Sequence, residues 1–346
     1  MLLHEISSLA TNPAPLKLEN LSEPKMGQGE MLIRVTACGV CHTELDEIEG
    51  RTPPPHLPVI LGHQVVGIIM RASDSSLDKN TPTPEFRPGD RVGVAWIYSA
   101  CGKCKYCLAG NENLCEQFRA TGRDADGGYA EYMKVSSDFA HHLPPSISDI
   151  DAAPLLCAGA VGYRSLLLTN IKDGQNLGLT GFGASGHLVL KMVKYKYPKT
   201  NIFVFSRNPE EREFARSLGA VWAGEITEAP PDLLEAVIDT TPAWRPVVEA
   251  LKYLAPGGRL VINAIRKEQA DKESILMLDY PSQLWMEKEI KSVANVTRQD
   301  VRQFLDLAAE ADIKPEVQEF PLKDANQALV EMKQGKIRGA KVLRPV

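Results

Sequence analysis

Residues 176–187 read Asn-Leu-Gly-Leu-Thr-Gly-Phe-Gly-Ala-Ser-Gly-His, a strand-sized apolar run that closes on Gly181, Gly183 and Gly186. The spacing is G-x-G-x-x-G, set between an expected strand at 176–179 and an expected helix at 186–195. The first glycine allows a tight turn, the second lets a pyrophosphate approach the backbone, and the third lets helix and strand pack closely. The helix N-terminus then offers free N–H groups and a positive dipole end to the anion. Outward from this motif, buried strands are expected at 202–205, 237–239 and 259–264, with a charged helix over 209–218. An expected helix at 152–169 and the Lys172-Asp173-Gly174 turn precede it. Strands alternating with helices imply a parallel, doubly wound sheet of Rossmann type over about 151–289.

The chain before this block has another character. Residues 31–37, 64–70 and 90–95 alternate and are β-branched, Pro and Gly punctuate them, and no segment of helical period stands out. A mainly antiparallel β domain is expected over 1–150. Residues 290–346 add expected helices at 298–311 and 324–333 and a last strand within 335–346, which should rejoin the first domain. The polar 73–84 stretch reads as a surface loop. The fold class is thus α/β, a β domain split around a nucleotide-binding domain.

The chain has 346 residues, 44% hydrophobic and 24% charged, with a net charge of −5, an ordinary balance for a globular protein of two domains. There is no basic arm, so nucleic acid is not an expected partner. The N-terminus lacks the charged-then-apolar pattern of a secretory signal, and continuous apolar runs fall short of a membrane span. A cytoplasmic location is therefore expected.

Seven cysteines, an odd number without a signal, argue against a disulfide framework. Cys101, Cys104, Cys107 and Cys115 supply four soft thiolates on one loop, over about 96–116. This suits a closed tetrahedral zinc that stabilises a lobe. The alternatives are two disulfides or an iron–sulfur cluster, but the seven-residue gap before Cys115 and the Glu116 after it depart from the ferredoxin pattern. Of the remaining residues, Cys41, His63 and Cys157 make a Cys₂His set with a fourth position open, the pattern of a catalytic zinc, with Cys38 left over. An open Lewis-acidic zinc lowers the pKa of an alcohol, so that the alkoxide can release hydride. Taken alone, Cys41 and Cys157 could be small buried residues, and a single His next to Gly is more often structural than a ligand.

An NAD site should show Asp or Glu about twenty residues past the glycine motif. Here the second strand ends Val204-Phe205-Ser206-Arg207-Asn208. A hydroxyl and a guanidinium suit a 2′-phosphate, so NADP(H) is favoured and NAD(H) is the alternative, with Arg212 a second phosphate candidate.

In motif order, Gly39-Val40-Cys41-His42-Thr43, Gly62-His63, the four-cysteine loop, Cys157-Ala158-Gly159 and the 181–186 glycines resemble the zinc-containing medium-chain alcohol dehydrogenases. Length and the Trp96 position look most like the yeast-type and bacterial members. The resemblance implies a GroES-like catalytic domain, split in sequence, around an inserted Rossmann domain. It further implies Cys41, His63 and Cys157 as catalytic zinc ligands, Thr43 as the hydroxyl taking the alcohol proton, and His42 on the cofactor pyrophosphate. Glu44 would orient His63, and Trp96 would narrow the pocket toward small alcohols, with core packing as its other reading. Two zinc ions per chain and a homodimer or homotetramer follow. Three positions depart from the family pattern. Gln64 replaces a Glu beside the zinc, Asp46 stands as a candidate proton acceptor where a His often ends the proton relay, and Val161 replaces a Thr. Two other readings compete: a polyol or sugar dehydrogenase, which often lacks the complete cysteine loop, and a fold-retaining zinc-storage or redox-sensing protein without turnover.

Overall fold

The computed structural model describes residues 1–73, 86–335 and 339–345. Beyond Ser73, the polar 73–84 stretch lies outside them. Two compact units divide the chain. One comprises Met1–Cys157, Thr297–Ala309 and Lys314–Val346, the other Ala158–Val296 and Glu310–Ile313. The joins thus lie a few residues beyond 150 and 289, because the last strand of the parallel sheet, Glu289–Ser292, runs across the latter point.

The first unit is built on Glu30–Val40. It pairs antiparallel with Val65–Ala72, with Tyr132–Ser136 and with the C-terminal strand Ala340–Arg344. Register shifts at Leu32/Ile33 and Val35/Ala37 let this long strand bend between its neighbours. Arg91–Val94 and Ala140–His142 extend one side, and Val317–Pro321 pairs parallel with Ala340–Arg344 on the other. The strand expected within 335–346 therefore does rejoin the first domain. Its core includes Leu3, Ile33, Val35, Leu61, Val65 and Leu343. Each such side chain contributes about 1.5–3 kcal/mol by leaving water.

This unit also holds a helix the sequence reading passed over, His42–Ile48. The segment His-Thr-Glu-Leu-Asp-Glu-Ile is short and mostly polar, so periodicity does not mark it. Its acidic residues nevertheless point inward, for Glu44, Asp46 and Glu47 are all buried.

In the second unit, six strands run parallel in the order Trp222–Gly224, Asn201–Phe205, Asn176–Thr180, Leu234–Asp239, Leu254–Ile262, Glu289–Ser292. In chain order this is 3-2-1-4-5-6, so the sheet reverses direction of growth between Asn176–Thr180 and Leu234–Asp239, where doubly wound sheets bind ligands. The expected helices appear as Ala184–Lys196 and Pro209–Ser217.

The helix expected at 152–169 begins earlier and is interrupted. Ser148 caps Asp149–Pro154, a π-helical turn spans Leu155–Gly159, and Ala160–Thr169 resumes α geometry. Pro154 donates no N–H to the ladder, and the turn after it is widened. By length and composition Asp149–Thr169 could cross a membrane, which the search for continuous apolar runs did not raise. About two thirds of it is buried within the fold (67%), as a core helix would be.

Candidate functional site

Cys41 ends the long strand and caps the His42–Ile48 helix. Glu44 ties this corner together. Its Oε2 accepts from the Cys41 backbone N–H at 2.7 Å, and its Oε1 lies 2.7 Å from His63 Nδ1. One carboxylate thus fixes the helix start and orients the ring, leaving His63 Nε2 turned to Cys157 Sγ at 3.3 Å. His63 follows Gly62, whose φ of +96° favours glycine and whose Cβ would meet the buried Tyr129 ring at 2.4 Å. Cys157 stands on the π-helical turn, a distortion often found where a helix serves a site.

The ligand atoms of Cys41, His63 and Cys157 all lie within 4.8 Å of one another. A tetrahedral zinc with ordinary bond lengths separates N and S donors by about 3.5 Å, so the spacing fits that ion. Hydrogen bonding with Cys157 pulls the Cys41 thiol well below its usual range, and the same contact with burial pushes Cys157 well up. Burial opposes charge on His63, yet the Glu44 carboxylate and then Cys41 hold its imidazole well above the ordinary value. The three donors compete for protons that a divalent cation displaces.

Thr43 Oγ1 lies 3.6 Å from Cys41 Sγ. His42 is exposed. Asp46 is buried, and Arg51 Nε donates to its Oδ1 at 2.6 Å. Gln64 is buried, its Oε1 2.5 Å from where a Cβ on Gly39 would stand, so its side chain lies along the long strand. Cys38, left over in the sequence, is fully buried, and burial raises its thiol pKa. Glu47 escaped the sequence reading. It lies fully buried one helical turn after Glu44, and desolvation followed by the Glu44 charge raises its pKa well above the carboxylate range. The i,i+3 spacing of two acids on a short helix was the available signal.

Cys101, Cys104, Cys107 and Cys115 also converge, with their sulfurs within 4.8 Å of one another. Cys104 and Cys107 sulfurs are 3.6 Å apart and those of Cys101 and Cys107 3.9 Å. A disulfide needs about 2.05 Å, whereas the edge of a zinc–sulfur tetrahedron is about 3.8 Å. Backbone N–H groups of Lys103 and Cys104 lower the Cys101 pKa to about 6, and burial followed by Cys104 pushes Cys107 up to about 12. Ile97–Ser99 and Arg119–Ala120 pair at the base of the lobe. Arg298 anchors it, with its N–H at 2.8 Å and its Nε at 3.1 Å from Glu112 Oε1. Trp96 is buried beneath, 5.2 Å from the Phe118 ring and clustered with Ile97, Ala120 and Phe139.

In the second unit, Gly181 has φ +79°, and a Cβ there would meet Thr240 Oγ1 at 2.7 Å. A Cβ on Gly183 would meet nothing within 4 Å, so the turn is open before the helix Ala184–Lys196, while Gly186 packs against the Gly181 carbonyl. The turn and the helix N-terminus thus fit a dinucleotide pyrophosphate. Val161, in the helix Ala160–Thr169, accepts from Ser165 Oγ at 2.7 Å through its carbonyl. A buried network underlies the switch point. Asp239 Oδ1 accepts from Thr180 Oγ1 at 2.6 Å and from Thr241 Oγ1 at 2.8 Å, and Lys267 pairs with Oδ2. Lys267 lies in the loop after the fifth strand, so no local pattern marks it. Ser206 is buried at the end of Asn201–Phe205 with Arg207 exposed beside it, and Arg212 donates to the Ser206 carbonyl at 2.8 Å rather than facing outward.

Comparison with known proteins agrees with this geometry. The family model described as "Alcohol dehydrogenase GroES-like domain" matches residues 27–145, and that described as "Zinc-binding dehydrogenase" matches 223–343. A Mycobacterium tuberculosis protein named "Probable alcohol dehydrogenase AdhA" is 43% identical over 329 residues, 95% of this chain and 92% of its own. A cinnamyl alcohol dehydrogenase structure from Sorghum bicolor aligns with TM-score 0.77 and 26% identity, over 94% of this chain and 92% of that one. The alcohol dehydrogenase of Aeropyrum pernix shares the fold at TM-score 0.82 and 24% identity, covering 99% of each chain.

Proposed function

The chain belongs to the zinc-containing medium-chain alcohol dehydrogenase family, and on that premise we propose that it transfers hydride reversibly between a small primary or secondary alcohol and NADP(H), with NAD(H) as the alternative cofactor. In this reading Cys41, His63 and Cys157 hold a catalytic zinc, and Cys101, Cys104, Cys107 and Cys115 a structural one. The observation that carries it is the Glu44 carboxylate, which reaches both the Cys41 N–H and His63 Nδ1. A carboxylate behind a ligand histidine fixes its tautomer and strengthens it as a donor. Zinc in the open site supplies Lewis acidity toward an alcohol oxygen, and the dinucleotide supplies the hydride acceptor.

The protein's own groups do the rest. Thr43, beside Cys41, accepts the alcohol proton at its hydroxyl oxygen as it passes its own proton on toward Asp46, whose carboxylate is paired with Arg51. Gly181, Gly183 and Gly186 hold the pyrophosphate, with His42 as a further contact. Ser206 and Arg207 favour the 2′-phosphate. Trp96 limits substrate size. Gln64 would place no charge beside the zinc, which alters ligand exchange there. A homodimer or homotetramer belongs to the same reading, supported by exposed Ile290 on the edge strand and exposed Trp285 nearby.

The test is NADPH oxidation by zinc-replete protein with a panel of short aldehydes, before and after chelation. Aldehyde-dependent oxidation that chelation abolishes is expected. Its absence from zinc-replete protein would overturn the reading. For the cofactor, a lower KM for NADP than for NAD is expected, and the reverse order, unchanged in Arg207→Ala, would end the NADP assignment.

A further inference from the structure

The end of the strand Asn201–Phe205 carries a charge that position 206 does not reveal in the sequence. Ser206 Oγ donates to Glu211 Oε2 at 2.6 Å and accepts from the Asn208 N–H at 3.1 Å. Glu211 is half-buried in the first turn of Pro209–Ser217. Arg212 is engaged by the Ser206 carbonyl at 2.8 Å and by Glu225 Oε1 at 3.5 Å. One short stretch therefore holds a hydroxyl, an exposed guanidinium at Arg207, and a carboxylate that already uses the hydroxyl's only proton.

We propose that Glu211 is a specificity-determining residue for the dinucleotide, one that holds Ser206 away from a 2′-phosphate and so limits the preference for NADP(H). The proposal deepens, and rests on, the reading in which Ser206 and Arg207 meet the ribose end of the cofactor. Its logic is that of one donor and two acceptors. A phosphate dianion has no proton to offer and needs the Ser206 O–H, which Glu211 occupies. The Glu211 charge also repels the dianion across a few ångströms of partly screened space. A free 2′-hydroxyl meets neither penalty, because it carries no charge and can donate its own proton to the Ser206 oxygen. Glu211 thus weakens NADP(H) and leaves NAD(H) nearly untouched, opposing the attraction of Arg207.

The experiment titrates zinc-loaded protein with adenosine 2′,5′-bisphosphate and with 5′-AMP by calorimetry, for wild type, Glu211→Gln and Glu211→Ala. Both variants should bind the bisphosphate about tenfold more tightly, with 5′-AMP within about twofold of wild type. The gain should shrink as salt is raised, and the KM for NADP should fall in parallel. An unchanged or weaker affinity for the bisphosphate in both variants overturns the proposal, as does an equal change for the two ligands. The outcome is separable from the NADP assignment itself. Wild-type protein that prefers 5′-AMP removes that assignment, whereas the role of Glu211 is decided by the ratio of variant to wild type alone.

Discussion

The two cysteine groups use the same soft donors on opposite scaffolds. Cys101, Cys104, Cys107 and Cys115 sit close together in sequence, within fifteen residues of one another. Cys41, His63 and Cys157 come from a helix cap, a glycine turn and a π-helical turn, with Glu44 buried behind them. In the first group local spacing suffices, because four ligands close the coordination sphere and the loop only has to fold around it. In the second, the proposed zinc would keep an open position, so its three ligands need rigid elements and an outer carboxylate to hold them in place. Closure is cheap in sequence, while openness needs the tertiary fold.

The comparison can be broken most severely at the open site. His63→Ala should lower kcat by at least about a thousandfold and reduce bound zinc from about two per chain to about one, with the fold retained by circular dichroism. Loss of both metals together would show that the two groups are not independent. Next, Glu44→Gln should cost roughly 10–100-fold in zinc affinity or activity, because the amide cannot serve both the Cys41 N–H and His63 as a carboxylate does. An unchanged zinc affinity would refute its outer-ligand role.

The closed lobe should respond in stability rather than turnover. Cys107→Ser should lower Tm by roughly 5–10 °C, while kcat per folded molecule stays within about twofold. A large kcat loss at unchanged Tm would reverse the contrast. The smallest effect concerns the lobe's support. His141 lies buried, its pKa lowered to about 3 by desolvation and then by Arg302 and Arg298, the latter being the residue that grips Glu112. The unfolded imidazole titrates near 6.5, so between these values only the unfolded chain binds the proton. Stability should therefore fall as pH drops through that window, by about 2 kcal/mol between pH 6.5 and 4.5, and His141→Gln should flatten the slope in urea titrations.

Reading the chain alone reached far where signals are local. The 181–186 glycines and their flanks foretold the parallel sheet, and the cysteine loop foretold its own convergence. Boundaries were less legible, since Pro154 and Cys157 interrupt a helix that looks continuous by composition. The Arg51 partner of Asp46 was not legible, because it lies outside any motif. The Lys267–Asp239 pair and the Glu211–Ser206 bond were invisible for a similar reason, as neither pairing follows a periodic pattern that names its partner.

What the sequence determined by itself was chemistry held within a few residues: thiolates in one loop, glycines in one turn, and the absence of an acid at position 206. What only the tertiary structure decided was which groups from separate elements meet. Glu44 behind His63, Arg51 on Asp46 and Glu211 on Ser206 depend on where backbones cross and helices point. A residue's type sets what it can donate or accept, but burial and partners set what remains free to act.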